Sequence, residues 1–306
     1  MNNLDALTEA IHSVGNPHLA LEVAKWYHQD LSKEQWEHLR SVIFSSKDTY
    51  LVYEFMTYDD DAVRGPYEDY FIKMEDDEHL YSLAIEYIDA DIVKIAEAIA
   101  KFGSITLIRK FGDEFDRDDI DTILADAVIH RGNVSEILEV IPILDTSRDK
   151  LLNAIVAQGK SNDMLKAMTT LREGGESLTE RQDEVLYNGI MECGDVINVV
   201  NYAKYLWKPC EAIHDFVMKE GTTADVLEFA LRVKWSNKYE IEDYLIEHGD
   251  PKQLALFAKF IPEANKKKIW QRMKQLRKKQ NEEYQIAKMI FSSSKHPSPT
   301  PPYEGD

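Results

Sequence analysis

An aliphatic residue followed four positions later by glycine recurs along this chain, and it limits what the chain can fold into. Clear copies begin at Ile11…Gly15, Ile99…Gly103, Val128…Gly132, Ile155…Gly159, Ile190…Gly194, Val217…Gly221 and Leu245…Gly249. Weaker copies at Ile43…Lys47 and Ile72…Asp76 carry a polar residue in the glycine slot. From Gly103 onward the glycine spacings are 29, 27, 35, 27 and 28 residues. The long one holds Gly174-Gly175-Glu176-Ser177, which reads as a loop insertion. A period of this size marks a chain built from one small unit, stacked repeatedly.

Each unit reads as two short helices. Glycine closing an apolar-periodic run signals a left-handed C-cap, since it reaches positive φ without a Cβ clash. The next run starts at once, as in Leu19-Ala20-Leu21-Glu22-Val23-Ala24 or Leu254-Ala255-Leu256-Phe257-Ala258, with helical spacing and good helix formers. Pro17 and Pro251 stand just after the glycine, where a first-turn proline is tolerated. Ala24, Ala167, Ala203, Ala230 and Ala258 fall eight or nine positions after it and let paired helices approach closely. One such pair cannot bury its apolar face alone, but a stack of pairs can.

On that pattern and period, residues 8–275 resemble the broad class of α-helical hairpin solenoids, the class of ankyrin, HEAT and tetratricopeptide repeats. Gly15-Asn16-Pro17-His18-Leu19-Ala20 and Gly249-Asp250-Pro251-Lys252-Gln253-Leu254-Ala255 echo the glycine-led second helix of ankyrin. The Thr-Pro-Leu-His of ankyrin is absent, as is the tetratricopeptide signature, so the resemblance stops at the class. The fold expected is all-α: an α-solenoid of about nine helix-turn-helix repeats of roughly 28 residues, then a basic helix and a disordered tail. The organisation expected is an acidic array over 1–263, a basic capping helix over 264–291 and a Pro/Ser-rich tail over 292–306. A compact, irregular helical domain is the alternative.

Composition narrows the class further. Hydrophobic residues make up 44% of the chain, enough for a packed core, while only Gly 13 and Pro 10 occur, too few for a turn-rich β-sandwich. Cys193 and Cys210 cannot make a disulfide scaffold. With no signal-like N-terminus and no long apolar stretch, a cytoplasmic protein without membrane contact is expected.

The net charge is −19, and it is segregated. Residues 264–306 carry ten Lys/Arg and four Asp/Glu, leaving 1–263 at −25. Residues 54–126 hold 21 acids against seven Lys/Arg. The runs are Asp59-Asp60-Asp61, Glu75-Asp76-Asp77-Glu78, and Asp113, Glu114, Asp116, Asp118, Asp119 and Asp121. In a solenoid the loops line up along an edge, so these runs would form a stripe able to attract a basic protein surface or to imitate a DNA backbone. Tyr67 and Tyr70 crowd the same region and could grip Arg and Lys side chains through cation–π contact. A solvating surface, with the tyrosines as core-rim residues, explains the same residues more simply. Trp26, Trp207 and Trp235 read as packing residues.

No catalytic, metal or cofactor motif emerges. The acids from Asp113 to Asp121 lack the glycine and closing glutamate of an EF-hand, and Asp118 and Asp119 suit a helix N-terminus. None of the nine histidines has a partner at zinc spacing, Cys193 sits in the helix-end slot before Gly194, and no P-loop or nucleophile elbow occurs. The basic stretch Lys266, Lys267, Lys268, Arg272, Lys274, Arg277, Lys278 and Lys279 is a candidate for anion contact or self-association with the acidic body.

These features point to a non-enzymatic interaction module or scaffold that binds a basic protein partner through an acidic, Tyr-rich face. A DNA-mimicking inhibitor of a nucleic-acid enzyme, of the counter-defence type, is the narrower alternative. A helical-repeat base-excision enzyme is the third, disfavoured because such proteins need a basic groove for the duplex. Direct nucleic-acid binding is disfavoured over most of so acidic a surface.

Overall fold

The computed structural model describes residues 3–59, 64–206 and 208–293, with 283–293 as backbone alone. Asp60, Asp61, Trp207 and the tail beyond 293 lie outside the described residues. Among the described residues all regular structure is helical, in nineteen α-helices and one 3-10 turn, Asp145–Ser147. The chain separates into two compact units, Met1–Leu186 and Tyr187–Asp306.

In the first unit the helices come in pairs about the turns marked in the sequence. Helices α1 (Asn3–Val14) and α2 (Pro17–Tyr27) flank Gly15, and α3 (Lys33–Ser45) and α4 (Thr49–Met56) flank Lys47. Next come α5 (Gly65–Met74) and α6 (Asp77–Glu86), then α7 (Ile92–Phe102) and α8 (Ile105–Glu114) about Gly103. The pairs α9 (Asp118–Arg131) with α10 (Val134–Val140) and α11 (Arg148–Gln158) with α12 (Ser161–Glu173) follow, and α13 (Glu180–Cys193) begins after the Gly174-Gly175 loop. Helices pack in two layers. The even helices α2 to α12 each touch the next even one, and among the odd helices α1 packs on α3, α5 on α7, α7 on α9 and α9 on α11. Phe55, Tyr67, Phe71 and Phe111 fill the space between layers.

The second unit repeats the scheme with α14 (Val196–Ala203), α15 (Glu211–Glu220), α16 (Thr223–Arg232), α17 (Lys238–His248) and α18 (Pro251–Phe260). Helix α14 packs on α16 and α16 on α18, around Phe229 and Phe257. The long α19 (Lys266–Ser293) lies against α18 and buries Ile269 and Met273.

Local chemistry explains where these helices start. Asn16, Asp48, Asp76, Asp91, Ser104, Asn133, Asp195 and Asn237 cap the helices that follow through side-chain oxygens, and Ser32, Thr222 and Asp250 form capping boxes. Pro17 and Pro251 occupy first-turn positions, as expected. Ala24, Ala167, Ala203 and Ala230 are buried and Ala258 is half-buried, consistent with close helix approach.

The glycines correct the expectation. Gly15, Gly132 and Gly194 have the left-handed φ expected of a C-cap, and in the two weaker copies Lys47 and Glu75 adopt it without glycine. Gly103, Gly159, Gly221 and Gly249 are instead extended. Their slot requires glycine for space: a Cβ on Gly159 would sit 2.6 Å from the carbonyl oxygen of Ile155, one turn back.

The first pair departs from the others. Leu7 and Val14 on α1, with Leu19 and Trp26 on α2, remain exposed at the N-terminal end. Trp26, expected to pack, is 76% exposed. Trp235 does pack, edge-on to Phe229.

Gly159→Ala is expected to lower stability by about 1–3 kcal/mol, since backbone rather than a flexible side chain must move. Gly65→Ala, with open space around its Cβ and an ordinary φ, is expected to be neutral or to stabilise by a few tenths. Urea denaturation of the two variants checks the contrast.

Candidate interaction surface

Alternation of helix direction sorts the loops of the first unit onto two edges, and with them the acidic runs. On one edge the side chain of Asp77 accepts from the Ser104 N–H at 3.3 Å, while Arg131 donates to Ala100 O and Gly103 O at 3.1 and 2.8 Å. The run Glu75-Asp76-Asp77-Glu78 belongs here. Asp76 caps α6 and meets His79 Nδ1 at 2.8 Å, Asp77 is half-buried, and Glu75 and Glu78 are exposed.

The other edge carries the starts of the odd helices, and a buried polar side chain in the first turn recurs there. Gln35 on α3 donates to Asp5 of α1 at 2.7 Å. Glu68 on α5 accepts from the Asp91 N–H at 2.9 Å and from Lys94 Nζ at 3.1 Å, both of α7 or its cap. Asp121 on α9 accepts from the Thr146 N–H and hydroxyl at 3.1 and 3.0 Å, just before α11. Gln182 on α13 donates to Asp149 of α11 at 2.7 Å. In the second unit Glu242, in the second turn of α17, accepts from the Asn265 N–H at 2.6 Å ahead of α19. All five residues are buried.

Several expected surface residues therefore lie inside. Asp59 is 1% exposed and is held by Arg40 at 2.7 Å and by the Tyr67 hydroxyl, which donates to it at 2.5 Å. Burial, then the Asp59 charge, pushes the Tyr67 hydroxyl far above its usual range, so it stays a donor. Tyr70 is buried and stacks on Phe44 at 5.0 Å. Asp121 is fully buried, and desolvation raises its pKa against the lowering effect of its Thr146 bonds. Asp59, Tyr67, Tyr70 and Asp121 are thus buried and packed or bonded within the fold. Among the described acids, the run at 75–78 lies on the opposite edge from Asp113 to Asp119.

What remains on the odd-start edge is still strongly acidic. Asp113, Glu114, Asp116, Asp118 and Asp119 are exposed where α8 passes to α9. Asp118, Asp119 and Asp121 occupy the first turn of α9, where the helix dipole favours them. Asp89 and Asp91 in the α6–α7 loop are exposed on the same edge and belong to no acidic run. Ile88 beside them is fully exposed. Three arginines near this edge are engaged. Arg117 pairs with Asp119 at 2.6 Å and holds its carboxyl below the usual range. Arg64 stacks 4.0 Å over Tyr87 and donates to the Asp59 carbonyl at 3.2 Å. Arg148 meets Asp145 and Glu176.

The basic stretch lies on α19. Lys268 pairs with Asp243, and Arg272 donates to Ile246 O at 2.7 Å and Glu247 O at 3.3 Å near the end of α17. Lys266, Lys267, Lys274, Arg277, Lys278 and Lys279 are exposed. No cluster of three metal-binding side chains occurs among the described residues, and no helix is long and apolar enough to cross a membrane. Comparison with family models, with curated proteins and with solved structures gives no match to this chain.

Two predictions follow from the buried carboxylates. Asp59→Ala strands Arg40 and the Tyr67 hydroxyl and is expected to cost about 3–5 kcal/mol, whereas Asp116→Asn leaves stability unchanged. Asp121 has a raised folded-state pKa, so it favours folding only while protonated and loses that contribution as pH rises through that pKa. Asp121→Asn is therefore expected to gain stability relative to wild type as pH climbs from below the usual carboxylate range to neutrality. Urea midpoints for both proteins across that range measure the difference.

Proposed function

We propose that this chain is an α-solenoid interaction module that acts by binding, and that its acidic odd-start edge receives a basic protein partner. The packing of helices on their next and next-but-one neighbours in each unit supports the solenoid reading, in which eighteen helices form nine hairpins and α19 caps the last. The observation that carries the binding reading is the edge itself. Asp89, Asp91, Asp113, Glu114, Asp116 and Asp118 are exposed there, while Arg64, Arg117 and Arg148 are each tied to a local group. Such an edge projects a net negative potential, offset in part by Arg64 at 3.9 Å from Asp89, which raises encounter rates with a basic surface and falls off over about 8–10 Å at physiological salt.

The partner expected is rich in exposed Arg and Lys. Proteins captured from native lysate on wild-type chain and eluted along a salt gradient give the baseline. A variant with Asp113→Asn, Glu114→Gln, Asp116→Asn and Asp118→Asn is expected to release the same partner at markedly lower salt. An unchanged elution profile would remove the acidic edge as the contact.

A further inference from the structure

We propose that the exposed face of α19 is a second binding surface, of opposite sign, for a single-stranded nucleic acid. Between Lys266 and Lys279 there are eight cations and no acid. Helical geometry divides them. Ile269 and Met273 turn inward against α18, and Lys268 and Arg272 are anchored on α17. The side opposite the apolar stripe carries Lys267, Trp270, Lys274, Arg277 and Lys278, spaced to share one face and all exposed. Lys267 to Lys278 spans about 16 Å along the axis. Lys278 is only 3.9 Å from Glu282, a loose and exposed pair.

Trp270 identifies the ligand. It is 52% exposed amid lysines, with Lys274 Nζ 5.6 Å from the ring centroid. The electronegative face of an indole repels carboxylate oxygens, so an acidic protein surface gains nothing from it. A nucleobase stacks on it, and the flanking cations then meet the phosphates. A duplex keeps its bases stacked inside, so only an unpaired strand can use both features. An anionic membrane fits less well. The apolar side of α19 that would enter the lipid is already buried. The body, carrying −25 over residues 1–263, keeps the strand off the rest of the surface and confines it to α19.

The test uses full-length protein and fluorescein-labelled oligothymidylate and oligouridylate, followed by anisotropy across salt concentration. Binding is expected to weaken with salt, with a slope in log K against log salt of about 0.7 for each phosphate contact. Lys274→Gln/Lys278→Gln is expected to reduce that slope by about 1.4. Trp270→Ala is expected to weaken binding roughly tenfold at every salt concentration without changing the slope. These side chains are exposed, and an unchanged circular dichroism spectrum confirms folding of each variant. A preference for one oligonucleotide assigns DNA or RNA.

The proposal fails if neither oligonucleotide binds at low salt, or if binding survives both variants. It fails in favour of a second copy's acidic body or an acidic peptide if polyglutamate competes as well as the oligonucleotide and Trp270→Ala has no effect. It fails in favour of a membrane if phosphatidylserine vesicles bind with the same dependence on Lys274 and Lys278 while the oligonucleotides do not.

Discussion

A polar side chain buried in the first turn of an odd helix, bonded to the start of the neighbouring odd helix, is the interaction on which the rest of this structure depends. Apolar contact between short helices is non-directional and tolerates sliding. A buried Glu68 or Asp121 does not, because each must meet one particular backbone N–H or remain stranded. The ties between Gln35 and Asp5 and between Gln182 and Asp149 set the register in the same way, with amides in place of carboxylates. Apolar packing brings the helices together, and these bonds fix which turn faces which.

The acidity of the chain has two physical origins that the sequence mixes. Some carboxylates are structural: Asp48, Asp76, Asp91, Asp195 and Asp250 cap helices, Glu68, Asp121 and Glu242 tie them, and Asp59 anchors Arg40 and Tyr67. The others line loops and remain in water. Asp113 to Asp119 belong to the second kind, so much of the local field on that edge comes from groups with no structural duty beyond favouring the start of α9, while Asp91 there also caps α7. Most of the described cations of α19 are exposed.

The helix-turn-helix units were legible because their signal is local: glycine slots, prolines just after them and alanines at fixed offsets all fall where helix pairs meet. The reason for the glycine was only half legible. Positive φ explains Gly15, Gly132 and Gly194, but Gly159 and its equivalents are needed for close approach to a carbonyl, and spacing does not separate the two causes. The candidate surface was less readable. A run such as Asp59-Asp60-Asp61 has no feature marking its first residue as buried, because that depends on Arg40 and Tyr67, 19 and 8 residues away. Nor does a list of acidic runs reveal that helix direction sends one of them to the opposite edge.

The ties between odd helices join residues only 23 to 33 positions apart in sequence. None of them fastens one end of a unit to the other. Among the described residues, a unit held by such ties resists shear between adjacent pairs, and the ties themselves include no distant clasp to break first. Pulled from an end, it would come apart like a zip, each released pair of roughly 28 residues lengthening the tether by about 90–100 Å.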